Sequence, residues 1–418
     1  MGLKMDLDPK KLAEAGWGVI FAFEDQDRVP AIKEALSELL RLRHKQAGEC
    51  YREYSEKGAY RPDESKGAFL ARHGAGPGPA DPEKVPYYLL IVGDPERIPY
   101  RFQYHLDVQY AVGRIHFDTL EEYSHYARSV VTAETNKVKL ARRAVFFGVR
   151  NADDAATALS ATQLVAPLAE ELVKDQTDWQ IDTILAGDAT KARLATLLGG
   201  ADTPALLFTA SHGMGFPAGD ARQLLHQGAL LCADWPGPLA WRGEIPQDFY
   251  MAADDIAEDA RLPGLISLHF GAYSAGTPRV DDFAVQARYP QTVIAPSAFV
   301  ARLPQQLLGH SNGGALAVVG LSDRGWGYAF PWEKGGIQRE VYAAVLQRLM
   351  QGYPVGLACE QFSERYAELS TTLSDELEMI AFGKEPDDGE LTSMWAFNND
   401  ARSYVTIGDP AVRLAPSD

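Results

Sequence analysis

Short apolar runs alternate with helix-periodic stretches along almost the whole chain. The runs at 17–23, 87–92, 144–149, 181–186, 205–210, 265–270, 315–320 and 404–407 are strand-length and close in turn-forming residues. Between them, spacing of apolar positions predicts helices over 30–54, 120–134, 155–173, 191–198 and 337–351, with more helix between 356 and 382. That alternation predicts an α/β fold with a mainly parallel sheet flanked by helices. Residues 61–86 break the pattern: GAGPGPADPEKVP combines turn formers with no period, as a linker or surface excursion does. A basic stretch at 137–143, ahead of the strand AVFFGVR, suggests a division into an amino-terminal α/β lobe (1–140) and a carboxyl-terminal lobe (141–418). No repeat of solenoid period and no low-complexity tract is visible.

At 418 residues the chain has material for a large core and for two lobes. Lys and Arg total 40 against 57 Asp and Glu, a formal charge of −17. Such a surface repels phosphate backbones, which argues against nucleic acid or an anionic membrane as the main partner. The richest basic stretch, Arg41 to Lys45, lies in a helix-like polar segment and reads as a solvated face. Three cysteines, Cys50, Cys232 and Cys359, have spacings that fit neither a disulfide framework nor a zinc site. With no signal-peptide pattern and no membrane-length apolar run, the expectation is a soluble cytoplasmic protein without metal or cofactor.

Candidate chemistry lies at two strand ends. PALLFTASHG finishes at His212-Gly213, and PGLISLHFGAYSAGTP turns around Ala272. Open parallel sheets deliver functional groups at the carboxyl ends of their strands. A histidine there is a candidate general base, and a glycine after it lets its N–H approach a carbonyl with no Cβ in the way. Together with YYLLIVGDPERIP (87–99), AVGRIHFDT (111–119) and ARSYVTIGDPAVRL (401–414), these strings resemble the caspase-fold cysteine peptidases, in particular their gingipain-type branch. The group includes caspases, gingipains, legumains and caspase-like proteases of bacterial defence systems.

The resemblance implies a caspase-like catalytic domain in 141–418 and an endopeptidase acting on a protein or peptide. His212 matches the family's general base, and the N–H groups of Gly213 and residue 272 match its oxyanion donors. Ala272 stands where the family has its nucleophilic cysteine, so the chain as written should be inert. Two explanations stay open: an engineered cysteine-to-alanine change, or a natural pseudoprotease that binds a protein segment without cleaving it. The family also suggests regulated proteolysis or a defence role and an upstream activating protease. Arg261 and Arg279 are candidate self-cleavage points.

Gingipain-like members select Arg or Lys through a carboxylate in the first-residue pocket. Asp153 and Asp154, after the strand AVFFGVR, are candidates, as are Asp281 and Asp282; Trp326 resembles a pocket wall. The plainer reading is that Asp153 or Asp154 caps the helix from Ala155 and that Trp326 is an ordinary core or surface aromatic. Gly309 to Gly313 matches the G-x-S-x-G elbow of serine hydrolases, but a helical run precedes Ser311 and a strand follows it, the reverse of an elbow. Ser274 does follow a strand, yet Thr277-Pro278 blocks the helix an elbow needs. His73 is expected to be exposed in its loop, His269 to be a satisfied core histidine, and Cys232 an inert packing residue. Gly93-Asp94-Pro95 and Gly408-Asp409-Pro410 read as strand-ending turns rather than metal sites.

Overall fold

The computed structural model describes residues 2–135, 138, 140–281, 292–325 and 339–414, with the backbone alone of 331–332 and 336–337. A ten-stranded sheet forms its centre. The strands are β1 (Trp17–Phe21), β2 (Tyr51–Tyr54), β3 (Tyr88–Val92), β4 (Ala111–Ile115), β5 (Arg143–Gly148), β6 (Gln180–Leu185), β7 (Leu206–Ala210), β8 (Ile266–Phe270), β9 (Ala317–Leu321) and β10 (Tyr404–Gly408). Their order across the sheet is β2-β1-β3-β4-β10-β9-β8-β7-β5-β6. All neighbours run parallel except β9 and β10. The sheet is therefore two parallel halves of five strands meeting at one antiparallel seam. The halves point their carboxyl ends to opposite edges of the molecule. β10 comes from the far end of the chain, yet lies beside β4 of the amino-terminal half.

Every residue of β1, β3, β4, β7, β8 and β9 is buried, as expected for central strands covered on both faces by helices. The helix from Leu120 to Glu134 starts where predicted because Thr119 and Glu122 form a reciprocal capping box. The expected helix over 30–54 is instead Val29–Ala35, Ser37–Ala47 and the edge strand β2. Gly48, at φ 55°, stops the helix there, in the left-handed region that suits glycine. Residues 61–86 are not all loop: Ser65 caps a helix from Lys66 to Arg72. The helix beginning at Ala155 widens into a π turn over Ala161–Val165, just before Pro167, which has no N–H to donate. Helices Tyr100–Asp107 and Asp388–Arg402 and strand β4 were outside the sequence expectations. No helix of the described residues is long and apolar enough to cross a membrane.

The carboxyl-terminal strand is anchored by a buried polar network. Asp409 is fully buried and accepts hydrogen bonds from Trp17 Nε1 (2.9 Å), Arg43 Nε (2.7 Å) and the Ala411 amide (2.9 Å). Arg43, also fully buried, turns its other nitrogens to Glu134 at 2.6 and 2.7 Å. Asp409 is thus structural, which agrees with the turn reading of Gly408-Asp409-Pro410. Removing one partner of a buried pair leaves the other charge uncompensated, so Asp409→Ala should destabilise the fold by about 3–5 kcal/mol. Urea unfolding measures this; a loss below about 1 kcal/mol would show the network to be dispensable.

Candidate active site

Strands β8, β7 and β5 are neighbours, so their carboxyl ends bring three loops together. His212 follows β7, Ala272 follows β8, and Asp154 follows β5. His212 Nε2 lies 2.5 Å from Asp154 Oδ2. The other carboxylate oxygen accepts from the amides of Ala156 (3.0 Å) and Thr157 (3.4 Å), capping the helix Ala155–Ser160. Burial works to raise the Asp154 pKa, but the hydrogen bond from His212, its charge and the two amides hold it below the ordinary carboxylate value. An ionised carboxylate only accepts, so Nε2 is a protonated nitrogen, and whenever the ring is neutral it is Nδ1 that holds the lone pair. His212 is therefore oriented with Nδ1 as its free basic nitrogen, and its side chain is 43% exposed.

Gly213 forms an antiparallel bridge with Leu230. The flanking bonds run from Leu231 N to His212 O (2.9 Å) and from Met214 N to Ala229 O (2.8 Å). Gly213 is thus at a non-hydrogen-bonded position, where its own N–H points away from the 229–231 segment. A Cβ at Gly213 would fall 1.7 Å from the Ala272 carbonyl oxygen and 2.9 Å from the Ala272 nitrogen, so only glycine allows this approach. Ala272 sits in a tight turn: Ser274 N donates to Gly271 O (3.2 Å) and Tyr273 N to Asp323 O (2.8 Å). Tyr273 has φ 58°, an uncommon conformation for a non-glycine residue that aims the turn sharply. Among the described residues neither the Gly213 nor the Ala272 N–H has a hydrogen-bond partner. Two free backbone donors beside an oriented imidazole are suited to holding an oxygen that gains negative charge.

The remaining candidates separate clearly. Asp154 is engaged by His212 and by its helix, and so is not presented to a substrate guanidinium; the capping alternative describes it correctly, and its bond to the histidine was not foreseen. The signal was the acidic residue at the end of a neighbouring strand. Asp153 is exposed, at φ 56°. Asp281 is buried and ion-paired with Arg324, which removes it as a free pocket carboxylate. Asp282 and Trp326 lie outside the described residues. Arg261 precedes β8, at the opposite edge of the sheet from Ala272, and cannot reach its own chain's site while the sheet is intact. Arg279 is exposed on the nearer side.

Ser274 is fully buried, donating to His269 O (2.9 Å) and accepting from Leu321 N (3.1 Å), so it fastens the turn and cannot serve as a nucleophile. Ser311 follows the helix Arg302–Leu308 and precedes β9, at the wrong edge. Cys232 is fully buried, and desolvation pushes its thiol up to about 12, which makes it inert. His73 is half-buried against Tyr54 and Phe69 rather than exposed, its Nε2 3.1 Å from Gly58 O. His269 is in the core, but neither ring nitrogen has a partner among the described residues. Burial pushes its pKa down to about 3, so it is a neutral, unsatisfied histidine rather than a satisfied one.

No protein-family model matches the chain, and no curated protein matches it by sequence. Solved structures do resemble it. The crystal structure of the Arg-specific cysteine proteinase gingipain R aligns over 99% of this chain and 80% of its own, with a TM-score of 0.53 at 11% identity. A second structure, described only as a protease, aligns over 96% and 78% with a TM-score of 0.52 at 11% identity. The complex of Porphyromonas gingivalis RgpB pro- and mature domains aligns over 96% and 79%, with a TM-score of 0.51 at 10% identity. At such identities the likeness is one of fold: the chain has the gingipain-like α/β architecture.

Proposed function

We propose that this chain is built as a caspase/gingipain-type cysteine endopeptidase and lacks only its nucleophile, Ala272 standing in the thiol's place. The observation that carries the reading is the packing of Gly213 on the Ala272 backbone, which puts two N–H groups without partners among the described residues next to the Asp154-paired His212. With a cysteine there, His212 Nδ1 takes the thiol proton and the sulfur bonds to the scissile carbonyl carbon. The oxyanion is held by the N–H groups of Gly213 and residue 272. Collapse breaks the C–N bond as His212 returns the proton to the leaving amine, and water then hydrolyses the thioester. The test is gain of endopeptidase activity on Ala272→Cys.

Among the described candidate carboxylates Asp153, next to Asp154 in the chain, is the exposed one, and we assign it the selection of Arg or Lys. In the Ala272→Cys background, Asp153→Ala should lower kcat/KM for Arg-ending substrates by about 10²-fold and leave uncharged ones little changed. Equal losses on both substrate classes would end that assignment.

A second reading rests on Ala272 itself, whose methyl cannot attack while the histidine and donors are kept: a pseudoprotease that holds a protein segment in the same groove. The loop whose Gly237 packs on the Ala152 carbonyl exposes Leu239 (66%) and Trp241 (38%), an apolar surface suited to a bound polypeptide. Peptide binding without turnover after Ala272→Cys would favour this reading.

A further inference from the structure

Counted outward from the seam, the two half-sheets correspond strand for strand: β10 with β9, β4 with β8, β3 with β7, and β1 with β5. Both β5 and β1 lead through an acidic loop into a helix, Ala155–Ser160 in one half and Val29–Ala35 in the other. Where β7 delivers His212, β3 delivers Asp94; where β8 delivers the Ala272 turn, β4 delivers His116. The amino-terminal half thus has its own carboxyl edge with its own cluster of functional side chains, at the edge opposite Ala272.

A cavity of about 170 Å³ opens there, lined by Asp25, Arg28, Asp94, Arg97 and His116 over a floor that includes Phe21, Val92 and Tyr123. It is smaller than the roughly 300–1,000 Å³ of pockets for drug-sized ligands, so its occupant is small. Arg28 is exposed and makes no ion pair among the described residues. Arg97 reaches Glu24 at 3.0 Å and Asp25 only at 4.0 Å, and His116 Nε2 is 3.9 Å from Asp94. Arg97 is closed on Glu24, but Arg28 has no ion pair among the described residues and the approaches to Asp25 and Asp94 stay at 4.0 and 3.9 Å, which leaves valences of both signs for a guest. A simple anion would face Asp25 and Asp94, and a simple cation would face Arg28 and Arg97.

We propose that this cavity binds a free α-amino acid with an aliphatic side chain. Its carboxylate meets Arg28, its ammonium meets Asp25 and Asp94, and its side chain lies on the Phe21, Val92 and Tyr123 floor. The site is independent of residue 272 and stands whether or not the chain is a protease.

Isothermal titration of the full chain with L-leucine tests it, alongside 4-methylpentanoate, which lacks the ammonium, and isoamylamine, which lacks the carboxylate. Expected are one saturable site for leucine and binding at least about 10-fold weaker for each half-analogue. Arg28→Ala and Asp94→Asn should each weaken leucine by about 10-fold or more. Both residues are at the cavity mouth, and unchanged thermal unfolding without ligand would verify that the variants fold. No saturable heat with leucine up to about 10 mM would overturn the proposal. So would equal binding of either half-analogue, or affinity unchanged in a folded Arg28→Ala variant.

Discussion

Replacing Ala272 with cysteine should raise endopeptidase turnover by roughly a millionfold, the scale lost when the nucleophile of a hydrolase triad is removed. On the proposed reading, the other catalytic parts are already present among the described residues. The turn that carries residue 272 is already fastened by Ser274 and Asp323, and the two proposed oxyanion donors have no partner among the described residues. The change adds one sulfur atom to the Cβ of Ala272, a partly exposed residue. Fluorogenic peptides ending in Arg, Lys or Asp measure the gain, and Ala272→Cys combined with His212→Ala is the control that should abolish it. An introduced thiol that neither turns over peptides nor reacts with a peptidyl alkylating agent, before or after limited proteolysis, would overturn the protease reading.

In the same background, Asp154→Ala should lower kcat by about 10² to 10⁴-fold with little change in KM. On the proposed reading the carboxylate does not touch substrate; it acts by holding His212 with Nε2 protonated and Nδ1 free. Asp154→Asn keeps the shape and the helix cap but allows the ring to hold the wrong tautomer, so it too should be slow. A stability loss alone would reduce active protein without changing kcat per titrated site, which separates the two explanations. The pH dependence follows from the depressed Asp154 pKa. Its contribution is fully present above the ordinary carboxylate pKa and is lost as pH falls through the lower folded value. The Asp154-intact enzyme should therefore keep its histidine oriented into mildly acidic solution. An acid limb that leaves Asp154→Asn and its parent superimposed would count against this role.

Much of this site was legible in the sequence because strand ends are local features. The runs before His212 and Ala272 each announce a buried strand, and the small residues after them announce the turns. Asp154 was visible only as one of two acidic residues before a helix, since its bond to His212 depends on β5 lying next to β7. Asp281 looked free because its partner Arg324 is distant in sequence. Periodicity put His269 in the core but says nothing of whether its nitrogens are satisfied, which rests on neighbouring strands. The correspondence of the two halves was hidden for the same reason. It exists as an arrangement of strands, completed by β10 from the chain's far end, and leaves no repeat in the residues themselves.

That seam between β9 and β10 has a bearing on dilution. Two five-stranded units meeting antiparallel across a shared edge are how a two-fold pair of separate subunits would meet, and such a pair falls apart as concentration drops. Here both units belong to one polypeptide, so each sees the other at a fixed effective concentration. The edge of the half that carries His212 and Ala272 stays covered however scarce the protein is, and whatever the site does, it does without waiting for a second copy to close that edge.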